Sequence, residues 1–255
     1  MLAHVGYSVG FRFEPHWLII SLGNPGQYYG TLHSAGHFAL AALQKYLVAT
    51  SADTPMPQSS HPETGADLGL TKATRFGQKK ACWGWEGHKY TLLQCPTQMN
   101  VSGSWAAPVW SQAMKDRRAQ EFEAYDAYVR RPPLGPDPFQ IGLGLIILHD
   151  ELEDDFGVVK SRWWSKSHRG HNGVRDILPR IYLPHGDLKA WRISVGIGRP
   201  TSRTANDVAR HVLSPLSDEQ KEIIDLTVPE KVMELMTTME LEWRVKHETV
   251  RAHKI

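Results

Sequence analysis

Three short apolar runs set far apart in the chain, "WLIISL" from Trp17, "LGLIILHD" from Leu143 and "WRISVGIG" from Trp191, limit what this sequence can become. Each is too short for a helix and is bounded by Gly, Asp or Pro, the pattern of buried sheet strands. Between them lie segments of helical period: Ala35, Phe38, Ala39, Ala42, Leu43 and Tyr46 share one face, with Ser34 available as N-cap. Strands alternating with helices predict a single α/β domain with a central sheet and helices on both faces. From Lys72 to Cys95, glycine-centred breaks at Gly77 and Gly87 fall between aromatic and branched residues. They predict antiparallel hairpin strands, so the sheet is expected to be mixed.

Toward the C-terminus, Ser217 and Gln220 stand at capping-box spacing, and Pro229 is expected to open a further amphipathic run through Val232, Met233 and Met236. These methionines read as core. The domain is taken to span 17–255 behind an N-terminal extension, 1–16, and two segments look inserted. The first, 49–71, is rich in Ser, Thr, Pro and Gly; the second, 115–140, joins a charged helical run to "RRPPLGPDPFQ". A formal net charge of +2 gives the whole molecule little attraction for nucleic acid, so any such contact must come from a local patch. Cys82 and Cys95 are too few for a disulfide framework and match no zinc spacing; they read as reduced and structural. No apolar run approaches the ~20 residues needed to span a bilayer, and the first residues lack a secretory h-region. An intracellular protein with no membrane partner is expected, cytoplasmic or mitochondrial.

In open α/β sheets ligands gather beyond the carboxyl ends of the strands. The residues placed there are Asn24 after the first run, Asp150 at the end of the second, Met99 and Asn100 after "TLLQC", and His171 and Asn172 opening a helix in "HRGHNGVRDI". Taken singly, each has an ordinary explanation as a turn or cap. Together they offer a histidine that titrates near neutrality, an aspartate to fix its tautomer, and carboxamides that donate to an ester carbonyl or oxyanion. No serine or cysteine nucleophile is evident, which favours direct attack by water.

"GNPGQYYGTLHSAG", "PTQMNVSG", "HDELEDDFG", "GHNGVRDI" and "VGIGRP", in this order, resemble the bacterial-type peptidyl-tRNA hydrolase family, and "DVARHVLSPLSDEQ" is similar to its C-terminal stretch. The resemblance runs from about Trp17 to Leu226, interrupted by the two insertions. It implies that His33 is the general base and Asp150 the carboxylate that orients it. It implies too that Asn24, Asn100 and Asn172 position the 3′-terminal adenosine and ester or stabilise the oxyanion, that Met99 lines the site, and that Tyr29 matches the family's tyrosine. The implied protein is a monomer without metal or cofactor that cleaves the ester between peptide and tRNA. On this reading His33 stands at a helix N-terminus, whose dipole is expected to lower its pKa.

The sequence departs from the family at several points. Leu32 stands where a basic residue is usual, Ser34 where an asparagine is, and the spacing from Asn24 to His33 is one residue shorter. The family's glycine-rich mobile loop appears as "SRWWSKSHRG", with bulky and basic residues. Lys160, Arg162, Lys166 and Arg169 beside Trp163 and Trp164 are expected to offer phosphate contacts and a stacking surface to tRNA, and His171 to join them in substrate binding. Metal binding is not expected: His33 and His37 share a helical spacing but lack the intervening Glu and a third ligand. The rival reading is a relative that binds RNA, in splicing or at the ribosome, without catalysis. Retention of His33, Asp150 and the asparagines favours the enzyme.

Overall fold

The structure, a computed structural model, describes residues 15–50, 70–73, 80–130, 142–183 and 189–252. The three apolar runs become β1 (His16–Ser21), β5 (Leu143–Glu151) and β7 (Lys189–Gly196) of a seven-stranded sheet ordered β2-β3-β4-β1-β5-β7-β6. β4 (Tyr90–Gln94), β1, β5 and β7 run parallel, while β2 (Thr71–Ala73), β3 (Cys82–Glu86) and β6 (Val159–Trp163) attach antiparallel at the two edges. The expected mixed sheet is therefore a parallel centre with antiparallel margins. The hairpin predicted around Gly87 is β3–β4, and the Gly87 amide donates to the Tyr90 carbonyl (2.8 Å) to close it. Residues 1–14 of the expected extension, Gly77, residues 51–69 of the first expected insertion and 131–140 of the second lie outside the described residues.

Side chains alternate across the sheet as strand geometry demands. Trp17 and Ile19 of β1 face α1 (Ala35–Ala49) and α5 (Asp218–Ala252), whereas Leu18 and Ile20 face α2 (Ser102–Arg130) and α3 (Asn172–Ile177). Helices thus cover both faces, and each Leu or Ile fully withdrawn from water there contributes about 1.5–3 kcal/mol. On the first face Trp17 meets Trp191 and Trp243 at ring separations of 5.7 and 5.6 Å, and Trp191 in turn meets Trp163 at 6.0 Å. The charged run assigned to the second insertion is, as far as Arg130, the latter half of α2.

The capping box forms as expected: the Gln220 amide donates to Ser217 Oγ (3.1 Å) and the Ser217 amide to Gln220 Oε1 (2.9 Å). Pro229 opens no new helix, since α5 runs unbroken through it. An interior proline costs about 3 kcal/mol. Here buried residues flank it on one face, Ile224 and Val228 before, Val232, Met236, Met239 and Trp243 after, and their burial carries the helix across the gap in its hydrogen bonding.

Candidate active site

The parallel strands all end at one edge of the sheet, and the segments leaving them build the site. After β1 the chain passes Asn24 and makes two 3-10 turns, Gly26–Tyr28 and Leu32–Ser34, before α1. Ser34 occupies the N-cap position yet caps nothing. Its Oγ accepts from the Asn24 amide (3.0 Å) and donates to the Tyr28 carbonyl (3.1 Å), drawing the loop closed. A Cβ on Gly36 would lie 2.6 Å from the Leu22 carbonyl oxygen and 2.7 Å from that of Leu148, so only glycine lets α1 begin this close to the ends of β1 and β5. That approach sets His33 beside Asp150. Gly173 likewise brings α3 close to the 3-10 turn Met99–Val101 after β4, since a Cβ there would sit 3.1 Å from the Met99 carbonyl oxygen and would displace its Sδ, at 2.5 Å.

Asp150 is buried between two imidazoles. Its oxygens accept from His33 Nδ1 at 2.9 and 3.0 Å, and Oδ1 also accepts from His171 Nε2 at 2.9 Å. The tautomers follow from the partners. His171 Nδ1 accepts the Val174 amide as N-cap of α3, so its Nε2 carries the proton given to Asp150. His33 Nδ1 must likewise be protonated toward the carboxylate, which leaves the Nε2 lone pair for water. Burial alone would push His33 down, but the charge of Asp150 and its hydrogen bond outweigh burial and hold the imidazole above the ordinary histidine value. The expected dipole-lowered base is thus reversed in sign: His33 lies in the 3-10 turn ahead of α1, and a carboxylate at 2.9 Å outweighs a helix end. Burial opposes ionisation of Asp150 too, yet the two histidines draw it far below the usual carboxylate range. His149, packed edge-on to His171 at 4.9 Å, is pushed down to about 3 by burial.

His33, Asp150 and His171 lie close enough to be weighed as a metal site. The hydrogen bonding does not fit one, because His171 Nε2 can offer a lone pair only by protonating Nδ1 and losing the Val174 cap. His37, the other histidine of the spacing pair, points into the core, bonded to Ser21 Oγ (2.8 Å) and pushed down to about 3 by burial.

The three groups open onto a cavity of about 710 Å³. Asn24, Met99, Asn100, Arg169 and Asn172 line it with them, so most of the site expected from sequence converges. Asn24 Oδ1 accepts from the Met99 amide (3.0 Å), which orients the carboxamide and leaves Nδ2 to donate. Tyr29 is not in the wall: it stacks on His37 and exchanges hydrogen bonds with Gln94, and Tyr28 lines the cavity instead. The basic cluster divides. Lys160 and Arg162 on β6 pair with Asp154, Arg169 pairs with Glu151 at 3.5 Å, and Lys166 is exposed. Trp164 packs inward while Trp163 is 51 % exposed. Sequence reading missed Arg199 and the apolar wall formed by Ala205, Val208, Ala209 and Val212 of α4 (Ala205–Val212). Their spacing of three and four residues in "ANDVARHV" was the signal available for that wall.

A sheet covered on both faces, with an aspartate-held imidazole facing a carboxamide-lined cavity, has the equipment of hydrolases that use water directly. Comparison with known proteins narrows the class. The family model described as peptidyl-tRNA hydrolase matches residues 140–254. Peptidyl-tRNA hydrolase 1 of Corynebacterium jeikeium is 32% identical over 201 residues, 78% of each chain. The peptidyl-tRNA hydrolase of Bordetella avium is 34% identical over 213 residues, 82% of this chain and 79% of that one. The chain belongs to the peptidyl-tRNA hydrolase family. A crystal structure of peptidyl-tRNA hydrolase from Acinetobacter baumannii shares the fold, with a TM-score of 0.51 at 24% identity over 92% of this chain and 95% of that one. Among the described residues no helix is long and apolar enough to cross a membrane.

Proposed function

We propose that the chain hydrolyses the ester joining a peptide to the 3′ end of tRNA, with water as nucleophile and His33 as general base. The observation that carries this reading is the His33 imidazole, fixed through Nδ1 by an ionised, buried Asp150 with Nε2 left for a water in the cavity. His33 Nε2 takes a proton from water as the oxygen attacks the ester carbonyl carbon. The oxyanion that forms accepts from Asn24 Nδ2 and from the carboxamides of Asn100 and Asn172, which line the same cavity. The imidazolium then returns the proton to the departing 3′ oxygen, and peptide acid and free tRNA leave. Asp150 stays ionised throughout and stabilises the imidazolium; His171 steadies Asp150 from its other side.

No covalent enzyme species, metal or cofactor enters these steps, and one copy of the chain holds every group they use. Lys166, exposed, and Arg169, in the cavity wall and held to Glu151 only at 3.5 Å, are the positions from which tRNA phosphates are met, whereas Lys160 and Arg162 are held more closely by Asp154. Met99 and Tyr28 flank the scissile end. The working unit is the domain from 17 to 255, with 49–71 and 115–140 as insertions, acting in cytoplasm or mitochondria. The test is release of free tRNA from an N-blocked aminoacyl-tRNA by wild type and His33→Ala. Turnover by wild type that collapses in a folded His33→Ala is expected; a folded variant that keeps its rate overturns the role of His33. A purely RNA-binding role would leave the Asp150-oriented imidazole without a task.

A further inference from the structure

Arg192 on β7 is 1 % exposed, a cation carried inside the domain. Among the described residues its guanidinium finds no carboxylate within bonding distance. It donates instead to main-chain carbonyls, from Nη2 to Lys166 (2.6 Å), Trp163 (3.3 Å) and Ser167 (3.3 Å), and from Nη1 to Ser167 (3.4 Å). Its Nε is buried without a partner. A buried charge is retained against a large desolvation cost, so what it holds matters.

What it holds is the segment between β6 and α3. This segment ends in Arg169 at φ 49 and Gly170 at φ 85 and then delivers His171 to Asp150. A left-handed arginine is strained and persists only where the surroundings impose it. Among the described residues the other polar ties of the segment are short-range turn bonds, such as Lys166 amide to Trp163 carbonyl and Gly170 amide to His168 Nδ1, and the Arg169–Glu151 pair at 3.5 Å. The guanidinium is the group that fastens it to the floor of the sheet.

We infer that Arg192 is a positioning residue for the hydrolysis: a buried clamp that fixes the 163–170 loop, and through it the His171–Asp150–His33 chain. This rests on the reading of His33 as general base. With the clamp gone, the strained turn relaxes, His171 Nε2 leaves Asp150, and the carboxylate loses the donor that steadies it from the side away from His33. Substrate binding weakens as well, because the same loop carries Lys166 and Arg169, the positions proposed to meet tRNA phosphates.

The experiment compares wild type, Arg192→Ala and Arg192→Lys, each checked for folding, by steady-state cleavage of an N-blocked aminoacyl-tRNA and by hydrogen exchange over 163–171. In Arg192→Ala, kcat should fall roughly 10- to 100-fold, KM should rise as the loop carrying Lys166 and Arg169 loosens, and amide exchange in 163–171 should quicken by about tenfold or more. Guanidinium chloride below denaturing concentrations should refill the vacated site, restoring rate and protection together, which a general loss of packing would not allow. Arg192→Lys, a single-point cation, should lie between the two. A folded Arg192→Ala with wild-type kcat overturns the inference, as does a slowed one whose loop exchanges normally and does not answer to guanidinium. If Arg192→Ala does not fold, Arg192→Lys decides: wild-type kcat with a loosened loop refutes it. A wild type that does not cleave the ester removes the hydrolase reading itself and this inference with it, while exchange still tells whether Arg192 holds the loop.

Discussion

Replacing Asp150 by asparagine changes one buried atom and should remove most of the activity. In the wild type Oδ1 receives His171 Nε2 and His33 Nδ1, and Oδ2 receives His33 Nδ1 alone, at 3.0 Å. The asparagine that keeps Oδ1 in place for His171 puts its NH2 where Oδ2 was. That group must donate, so His33 is driven to the tautomer with the proton on Nε2, where it cannot take one from water. General-base assistance is typically a factor of about 10²–10⁴, and at about 1.36 kcal/mol per decade the barrier should rise by roughly 3–5 kcal/mol. The pH profile moves in a defined direction. His33 is held above the ordinary histidine value of 6.5 only because Asp150 outweighs burial. The acid limb of kcat/KM should therefore lie above 6.5 in the wild type, and below it in Asp150→Asn, where burial acts unopposed. Release of free tRNA from an N-blocked aminoacyl-tRNA, followed from acid to neutral pH, measures both. A folded variant with a kcat within about threefold of wild type and an unmoved limb refutes the assignment.

Asn24→Ala removes a donor already oriented by Met99 and should lower kcat by about 10²–10³ with KM little altered; parallel losses in binding would instead mark Asn24 as a ground-state contact. Gly36→Ala should destabilise the fold by about 1–3 kcal/mol in urea unfolding, because the new methyl meets two strand-end carbonyls that cannot yield. Acid should weaken the domain well before its carboxylates titrate. His37 and His149 are pushed down to about 3 by burial, so between their unfolded value of 6.5 and about 3 the unfolded chain binds more protons. Stability should then fall as pH falls, each histidine contributing up to about 1.4 kcal/mol per pH unit, with His33, whose shift is upward, working in the opposite sense. Thermal melts from pH 7 to 4 test this, and His149→Gln should flatten the slope; an unchanged slope contradicts it.

The strands, and the strand-end residues that line the cavity, were legible because local pattern decides them, whereas His33 was reached only through the resemblance to a family. "WLIISL" and "LGLIILHD" can only be buried strands, and Asn24 and Asp150 follow from where those strands end. The rest depended on pairings the sequence does not print. Lys160 and Arg162 look like free cations until the turn from β5 to β6 folds Asp154 against them. Tyr28 and Tyr29 are neighbours, and only the phase of a 3-10 turn decides which faces the cavity. Pro229 is a helix breaker by local rule, overruled by the buried stripe on either side. Arg192 was hidden in an apolar run: on strict alternation it shares the buried face of β7 with Ser194, and nothing local says that loop carbonyls will be there to receive it.

The tryptophans that cover one face of the sheet also give the protein an optical reporter of its own. Trp163 is half in solvent, stands where the clamped loop begins, and lies 6.0 Å from Trp191, whose ring is sealed in the core against Trp17 and Trp243. Excitation energy can pass along such a row, while a dissolved quencher such as iodide reaches mainly its outer end. Iodide quenching of Trp163 would therefore report a change in that loop's exposure, such as the loosening expected of Arg192→Ala, in the protein's own tryptophan emission and without an attached dye.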